Sequence, residues 1–187
     1  MKKKPHFLVQ ANSNLHLESK KRSFTEEIVF HTITAGMNII HGIAGLKEYI
    51  GKEIGVSSWL PITQERIDDF ARATNDYQWI HTDPEKARAE LPYGNTIAHG
   101  FLTLSLAPQF MQEIYRIEGI RMAINYGLDS VRFTSPVVTG SQLRMRAHFI
   151  QATDIPGGCK VTTRVTFEVR GKNKPVCIAD TLTIFYV

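Results

Sequence analysis

The spacing of apolar residues in this chain changes once, and that change limits the folds the chain can adopt. From Gly100 to about Arg116 apolar residues follow one another with few interruptions, which predicts a helix buried on most sides and bent at Pro108. From Leu143 onward apolar and polar residues alternate, as they do in strands that bury one face. A single core helix followed by strands is therefore expected.

Three alternating runs make up the C-terminal part of the chain. They span Leu143 to Phe149, Val161 to Arg170 and Val176 to Val187. The turn sequences Pro156-Gly157-Gly158 and 171–175 separate them, so the strands should form an antiparallel meander. We expect an α+β domain in which a curled antiparallel sheet wraps around one long central helix.

Residues 1–45 are predicted to form an N-terminal extension, basic and partly disordered and then helical, ahead of a domain that spans 46–187. Residues 1–23 carry a net charge of +5, which leaves −1 for the rest of a chain whose total is +4. The basic charge belongs to the tail, so no nucleic-acid partner is expected. The spacing within residues 24–52 predicts one or two helices. Polar residues interrupt the uncharged stretch 28–46, so no membrane span is expected there.

The two cysteines, Cys159 and Cys177, are isolated from each other and from metal-ligand motifs. Neither a zinc site nor a disulfide framework is indicated. The apolar patch Phe7-Leu8-Val9 is too short for the core of a secretory signal. We expect a cytoplasmic protein.

Two further helices are predicted from their capping residues. Thr63 is a suitable N-cap for a helix that ends near Thr74. A capping residue and Pro84 predict a short helix through about Glu90. The residues between these helices, 75–82, should contain a loop from Asp76 to His81.

An aspartate and a histidine in this loop, Asp76 and His81, predict an acid/base site. Converging on one water, they could move the protons that addition of water to an activated double bond requires. His99 and Gly100 open the central helix, and backbone N–H groups there could bind a developing negative oxygen. Two plainer hypotheses stay open: Asp76 could cap the loop, and His81 could be an ordinary loop histidine. For His99, packing or hydrogen bonding is favoured over proton transfer.

Two segments in this order resemble a known family. Residues 76–84 (DYQWIHTDP) and 96–104 (TIAHGFLTL) resemble MaoC-like dehydratases and R-specific enoyl-CoA hydratases, especially their nodulation-protein-N-like branch. Segments 125–133 and 136–141 extend the resemblance, which covers roughly residues 46–187. Asn75 departs from the glycine that many members have before the aspartate.

The resemblance implies a hot-dog fold and a reaction. The reaction is reversible syn hydration of a trans-2-enoyl thioester to the R-3-hydroxyacyl thioester. Asp76 and His81 would bind the catalytic water, and the backbone of Gly100 would donate to the thioester oxygen. From their positions in the sequence, His99, Ser105 and Asn125 are candidate substrate-binding residues. Core packing is the favoured alternative for Ser105, and a turn role with Gly127 competes evenly for Asn125. No metal or redox cofactor is expected, because the substrate's own thioester makes the β-carbon electrophilic. Coenzyme A or acyl-carrier protein would enter only as part of the substrate.

Two other functions compete with this hypothesis. A thioesterase of the same fold would need a carboxylate on the central helix, and residues 101–112 contain none. A non-catalytic protein could bind an acyl thioester for regulation.

A homodimer is expected, because a small curled sheet has unpaired edges. The candidate phosphate-binding residues, among which the sequence does not choose, are Lys86, Arg88, Arg132 and Arg144.

Overall fold

A computed structural model describes residues 36–187, and the helices and strands named here are those of that part of the chain. The strands are β1 (Asn38–His41), β2 (Glu53–Val56), β3 (Leu60–Pro61), β4 (Tyr115–Glu118), β5 (Met122–Phe133), β6 (Gln142–Ile155), β7 (Gly158–Val169) and β8 (Cys177–Tyr186). The helices are α1 (Gly42–Glu48), α2 (Gln64–Thr74), α3 (Trp79–Thr82), α4 (Pro84–Glu90), α5 (Gly100–Ser105) and α6 (Ala107–Ile114).

The predicted meander is confirmed as the centre of a six-stranded sheet. Its strands lie in the order β2-β6-β7-β8-β5, and β3 also pairs with β6. Neighbouring strands are antiparallel, and β6 turns directly into β7 where Ile155 faces Gly158. Strand β5 pairs only with β8 among the described residues, so it forms one edge of the sheet.

The core lies between this sheet and the central helices. Every second residue of β6 from Leu143 to Phe149 is fully buried, as the alternation predicts. Phe110 of α6 is also fully buried, and its ring centroid lies 6.2 Å from that of Phe167 on β7. Helix and sheet thus share one apolar layer, which confirms the predicted α+β hot-dog arrangement.

The central helix differs from the prediction because it consists of two helices rather than one. Helix α5 ends at Ser105 and α6 begins at Ala107, with a turn at Leu106 between them. Pro108 has no N–H to donate to the Leu104 carbonyl, so regular helical hydrogen bonding cannot run through this point. The prediction that the helix continues to about Arg116 is also wrong, since the chain is extended from Tyr115 as β4.

The N-terminal part of the described chain also differs from the prediction. Residues 38–41, predicted as helical, form strand β1, which pairs in parallel with β4. Ile40 is buried against the core, so its apolar spacing is satisfied by a strand instead of a helix. Helix α1 follows directly, within the stretch for which one or two helices were predicted. The rest of the extension lies outside the described residues, and the boundary between residues 45 and 46 stays a prediction.

The two capped helices are confirmed with their predicted bounds. The Thr63 side chain accepts a hydrogen bond from the Arg66 N–H at the start of α2. The Asp83 side chain accepts one from the Lys86 N–H at the start of α4. Across residues 36–187, every helix falls short of the length and apolar character that a membrane crossing requires.

Candidate active site

The turn that follows α2 places Asp76. Helix α2 ends at Thr74, and Asn75 then adopts the left-handed conformation, with φ 58° and ψ 26°. Asparagine is one of the few residues other than glycine that tolerate this conformation, and it commonly ends helices in this way. Asn75 therefore makes this turn without the glycine that the family resemblance leads one to expect there. The chain reverses through Asp76 and enters α3, which carries His81.

His81 is held in one orientation by its backbone and its ring. Only 7% of the residue is exposed, and its Nδ1 lies 2.6 Å from the Ile97 carbonyl oxygen. Because a carbonyl can only accept, Nδ1 carries the proton and Nε2 keeps its lone pair. The Gln64 amide donates to the His81 carbonyl at 2.8 Å and fixes the backbone.

The surroundings of His81 favour its neutral form. Burial lowers its pKa below the ordinary value of 6.5, and the neighbouring His99 lowers it further. The bond to Ile97 and the carboxylate of Asp76 act in the opposite direction without reversing the shift. Near neutral pH, His81 is therefore an imidazole able to accept a proton.

His99 connects Asp76 with His81. It is 3% exposed, and its Nε2 donates to the Asp76 backbone carbonyl at 3.0 Å. Its ring stacks on that of His81 with centroids 3.8 Å apart, and Phe70 packs against it with centroids 5.1 Å apart. Its Nδ1 is buried without a hydrogen-bond partner in the described residues. The observed contacts of His99 are made with protein groups, and its predicted substrate contact stays a prediction.

The carboxylate of Asp76 is the accessible member of this group. Its side chain is 53% exposed, with Oδ2 3.9 Å from Nε2 of His99. Its Oδ1 accepts a long hydrogen bond of 3.4 Å from the Gln78 N–H. Asp76 therefore caps the loop, as the plainer hypothesis holds, and still presents an oxygen to solvent beside the two imidazoles.

Among the described residues, Asp76, His81 and His99 also form a cluster that could offer ligands to a metal ion. One ligand atom from each lies within 4.8 Å of the others. The two imidazoles are stacked, however, with 27° between their planes. Ring lone pairs that lie in two nearly parallel planes do not converge readily on one ion. The stacking of the two imidazoles disfavours a coordinated cation, and the absence of a metal stays a prediction.

A cavity of about 360 Å³ opens between the start of α5 and the segment after β5. It joins His81 and Gly100, two of the predicted catalytic residues. Most of its wall is apolar, with hydroxyl groups from three residues. The lining residues are His81, Ile97, Ala98, Gly100, Thr103, Phe133, Thr134, Ser135, Pro136, Val137 and Val176.

Ser105 and Asn125 lie elsewhere, in a second cavity of about 420 Å³ between the central helices and β5. The Ser105 hydroxyl donates to the Phe101 carbonyl at 2.7 Å. These residues therefore do not share the cavity that holds His81 and Gly100. Their predicted role as substrate-binding residues would concern a part of the substrate other than the reacting carbons.

The candidate phosphate-binding residues have different surroundings. Arg144 donates to Glu168 at 2.7 Å and lies over the Trp59 ring, so its charge is already paired. Lys86 lies over the Trp79 ring at 4.7 Å. Arg132 donates to the carbonyl of the residue before it at 2.9 Å, and Arg88 is exposed. These contacts disfavour Arg144 and do not select among the other three.

Several residues of the site were not predicted from the sequence. They are the Ile97 carbonyl, the amide of Gln64 and the rings of Phe70 and Phe133. Each acts through a contact between segments that are distant along the chain. The antiparallel bridge between Ile97 and Val138, which sets one wall of the cavity, has no local sequence signal either.

Comparisons with known proteins identify the family of this chain. The family described as MaoC like domain matches residues 46–170. The chain is 44% identical over 147 residues to 3-hydroxyacyl-thioester dehydratase Z of Mycobacterium tuberculosis, covering 78% of this chain and 97% of the relative. It is also 44% identical over 144 residues to nodulation protein N of Rhizobium leguminosarum bv. viciae, covering 76% and 89%. The fold matches that of the R-hydratase PhaJ1 from Pseudomonas aeruginosa, with a TM-score of 0.60, 21% identity and coverage of 73% and 81%. The chain belongs to the MaoC-like dehydratase family.

Proposed function

We propose that this protein is a hydro-lyase that interconverts trans-2-enoyl thioesters and R-3-hydroxyacyl thioesters. The observation that carries the proposal is the neutral, oriented imidazole of His81, which lies beside Asp76 and lines the same cavity as Gly100. The relative at 44% identity whose name is 3-hydroxyacyl-thioester dehydratase Z supports the same reaction.

In the hydration direction, Asp76 and His81 hold one water molecule. Nε2 of His81 accepts a hydrogen bond from this water, and the Asp76 carboxylate accepts the second. The water oxygen bonds to the β-carbon while one of its protons passes to the dyad. The dyad delivers a proton to the α-carbon on the same face, so addition is syn. Dehydration follows the same steps in reverse.

Negative charge builds on the thioester oxygen during this addition, and Gly100 is the proposed donor. It is the first residue of α5, where backbone N–H groups have no partner within the helix. One such donor contributes about 10²- to 10³-fold in rate, and general acid/base catalysis about 10²- to 10⁴-fold. Both parts are needed for efficient turnover. The thioester itself activates the β-carbon, so we propose that neither a metal nor a redox cofactor takes part.

Loss of the ultraviolet absorbance of a conjugated enoyl thioester tests this function. Purified protein is mixed with trans-2-enoyl-CoA of short and medium chain length, beside Asp76→Asn and His81→Asn. Asp69→Asn is a matched control on the surface of α2, where its partner is Arg72. His41→Asn is the second control, on an exposed histidine paired with Glu118.

Hydration that collapses in both dyad variants and persists in both controls is the expected result. A folded wild-type protein that turns over none of these substrates would overturn the proposal in favour of thioester binding without catalysis. Release of free thiol would instead indicate a thioesterase. We propose that the acyl group is carried by coenzyme A or by acyl-carrier protein. Repeating the assay with acyl-carrier-protein thioesters identifies which carrier is preferred.

We further propose that the protein is a homodimer joined along β5. This edge strand is exposed over nearly its whole length, and it presents large apolar side chains to solvent, including Ile124, Tyr126 and Leu128. Unpaired, apolar strand edges favour pairing with another chain. Analytical ultracentrifugation should give the mass of a dimer, and Ile124→Lys should shift it to a monomer. A wild-type monomer at assay concentration would contradict the proposal.

A cytosolic location is proposed on the state of the two cysteines. Both Cys159 and Cys177 are free and buried. Unpaired thiols are usual in reducing compartments.

A further inference from the structure

The ring of Phe133 packs against the first residue of α5. A Cβ atom added to Gly100 would stand 3.0 Å from Cγ and Cδ2 of Phe133 and 3.1 Å from its Cε2. Carbon atoms in good contact are about 3.5–4.0 Å apart. The ring therefore already fills the space beside the Gly100 Cα, and glycine is the residue that allows this approach.

The same ring forms part of the wall of the candidate catalytic cavity. Phe133 lines it together with His81 and Gly100, and it is followed by three further lining residues, 134–136. Phe133 is 43% exposed, so part of its ring remains open to a ligand. Phe101 meets the ring edge-on, with centroids 5.8 Å apart, and is itself 65% exposed.

We infer that Phe133 is a specificity-determining residue that excludes thioesters branched at the α-carbon. The inference rests on the proposed function, because the thioester oxygen must reach the Gly100 N–H. The α-carbon is bonded to the thioester carbonyl carbon, so it must then lie close to Gly100 and beside the Phe133 ring. A flat, unbranched enoyl group fits along that ring. A methyl group on the α-carbon needs space that the ring occupies.

The size of the effect follows from what a hydrophobic pocket can discriminate. One added or missing methylene changes kcat/KM by about 10- to 200-fold. Replacing the ring with a methyl group opens more volume than one methyl substituent needs. We therefore expect Phe133→Ala to raise the kcat/KM ratio of branched to unbranched substrate by at least about tenfold.

The test compares trans-2-butenoyl-CoA with its 2-methyl derivative in the full-length protein. Phe133→Ala and Phe133→Leu are the test variants, and Phe101→Ala is the matched control, because Phe101 contacts the ring without lining the cavity. The ratio should rise in Phe133→Ala, rise less in Phe133→Leu and stay constant in Phe101→Ala. Because Phe133 is partly exposed, thermal unfolding followed by circular dichroism should show that all three variants fold.

An unchanged ratio in a folded Phe133→Ala variant would overturn the inference. A second measurement keeps this outcome separate from failure of the proposed function. The dissociation constants of butanoyl-CoA and 2-methylbutanoyl-CoA are measured by calorimetry for the same proteins. Should the wild type bind thioesters without turning them over, the ratio of these constants still decides the role of Phe133. Equal ratios in wild type and Phe133→Ala would refute it.

Discussion

Replacing His99 by glutamine or by alanine separates two contacts that its imidazole makes. Both changes remove the ring that stacks on His81 with centroids 3.8 Å apart. Glutamine retains an N–H donor that can reach the Asp76 carbonyl, which Nε2 of His99 now meets at 3.0 Å. Alanine retains neither contact. The difference between the two variants therefore measures what the hydrogen bond to the Asp76 turn contributes.

The expected magnitudes follow from these contacts. A hydrogen bond contributes about 0.5–1.5 kcal/mol net, and an aromatic pair about 0.5–1.5 kcal/mol beyond its buried area. We expect His99→Ala to lose about 1–3 kcal/mol of unfolding free energy and His99→Gln about half of that. Misplacement of a catalytic group by about 1 Å can cost about 10²-fold in rate. The kcat/KM of His99→Ala should fall by about that factor, whereas His99→Gln should retain most of its activity.

The pH profile provides a readout that lost stability alone would not move. Burial is the main cause of the lowered pKa of His81, and His99 is a further cause. In His99→Ala, water reaches the His81 ring and the unfavourable electrostatic effect of the neighbouring imidazole is gone, so the pKa of His81 rises towards its ordinary value. Since the neutral imidazole is the active form, the acid limb of kcat/KM moves to higher pH. Titration of the His81 ring by NMR should show the same direction.

The reasoning would be refuted by a folded His99→Ala variant with wild-type kcat/KM and an unmoved acid limb. It would equally fail if glutamine were as damaging as alanine, because the hydrogen bond to Asp76 would then be irrelevant. His148→Ala, on the outer face of the sheet, is the control for removing a histidine.

Three further predictions concern the core, the thiols and the start of α5. Phe110→Ala should reduce the unfolding free energy in urea by about 3–5 kcal/mol, because a fully buried ring is lost from the layer between helix and sheet. Cys159 and Cys177 should resist iodoacetamide at pH 8 until the protein is unfolded, since burial raises the pKa of both thiols, that of Cys177 to about 11; labelling of the native protein would contradict this. Gly100→Ala should destabilise the protein by about 1–3 kcal/mol through overlap with the Phe133 ring, and combining it with Phe133→Ala should remove that loss.

The parts of the fold that were predicted correctly have local causes. Thr63 and Asp83 cap their helices within three residues, so the bounds of α2 and α4 could be found from short segments. The strands from β6 to β8 bury one face each, so apolar and polar residues alternate along their sequences. Strand β1 has no such signal. It has four residues, and its only strand partner in the described chain, β4, lies 77 positions further along.

The candidate site likewise contains residues that could be proposed from local sequence and residues whose positions depend on distant contacts. Asp76, His81 and Gly100 could be proposed from the sequence because each belongs to a contiguous motif, and their catalytic roles stay predictions. The positions of Ser105 and Asn125 could not, because they depend on which side of the central helix faces β5. The stack between His81 and His99 depends on the bend of two separate loops, so no spacing rule reveals it.

The pairing of β1 with β4 matters for anyone who shortens this protein. A chain cut at residue 46, where the family similarity begins, would keep every residue proposed to act in catalysis. It would also lose all four residues of β1 and the buried Ile40, leaving the strand that directly follows α6 without its neighbour. Expression of a fragment should therefore begin no later than Met37. We therefore expect folding to require residues that lie N-terminal to the segment matched by the family.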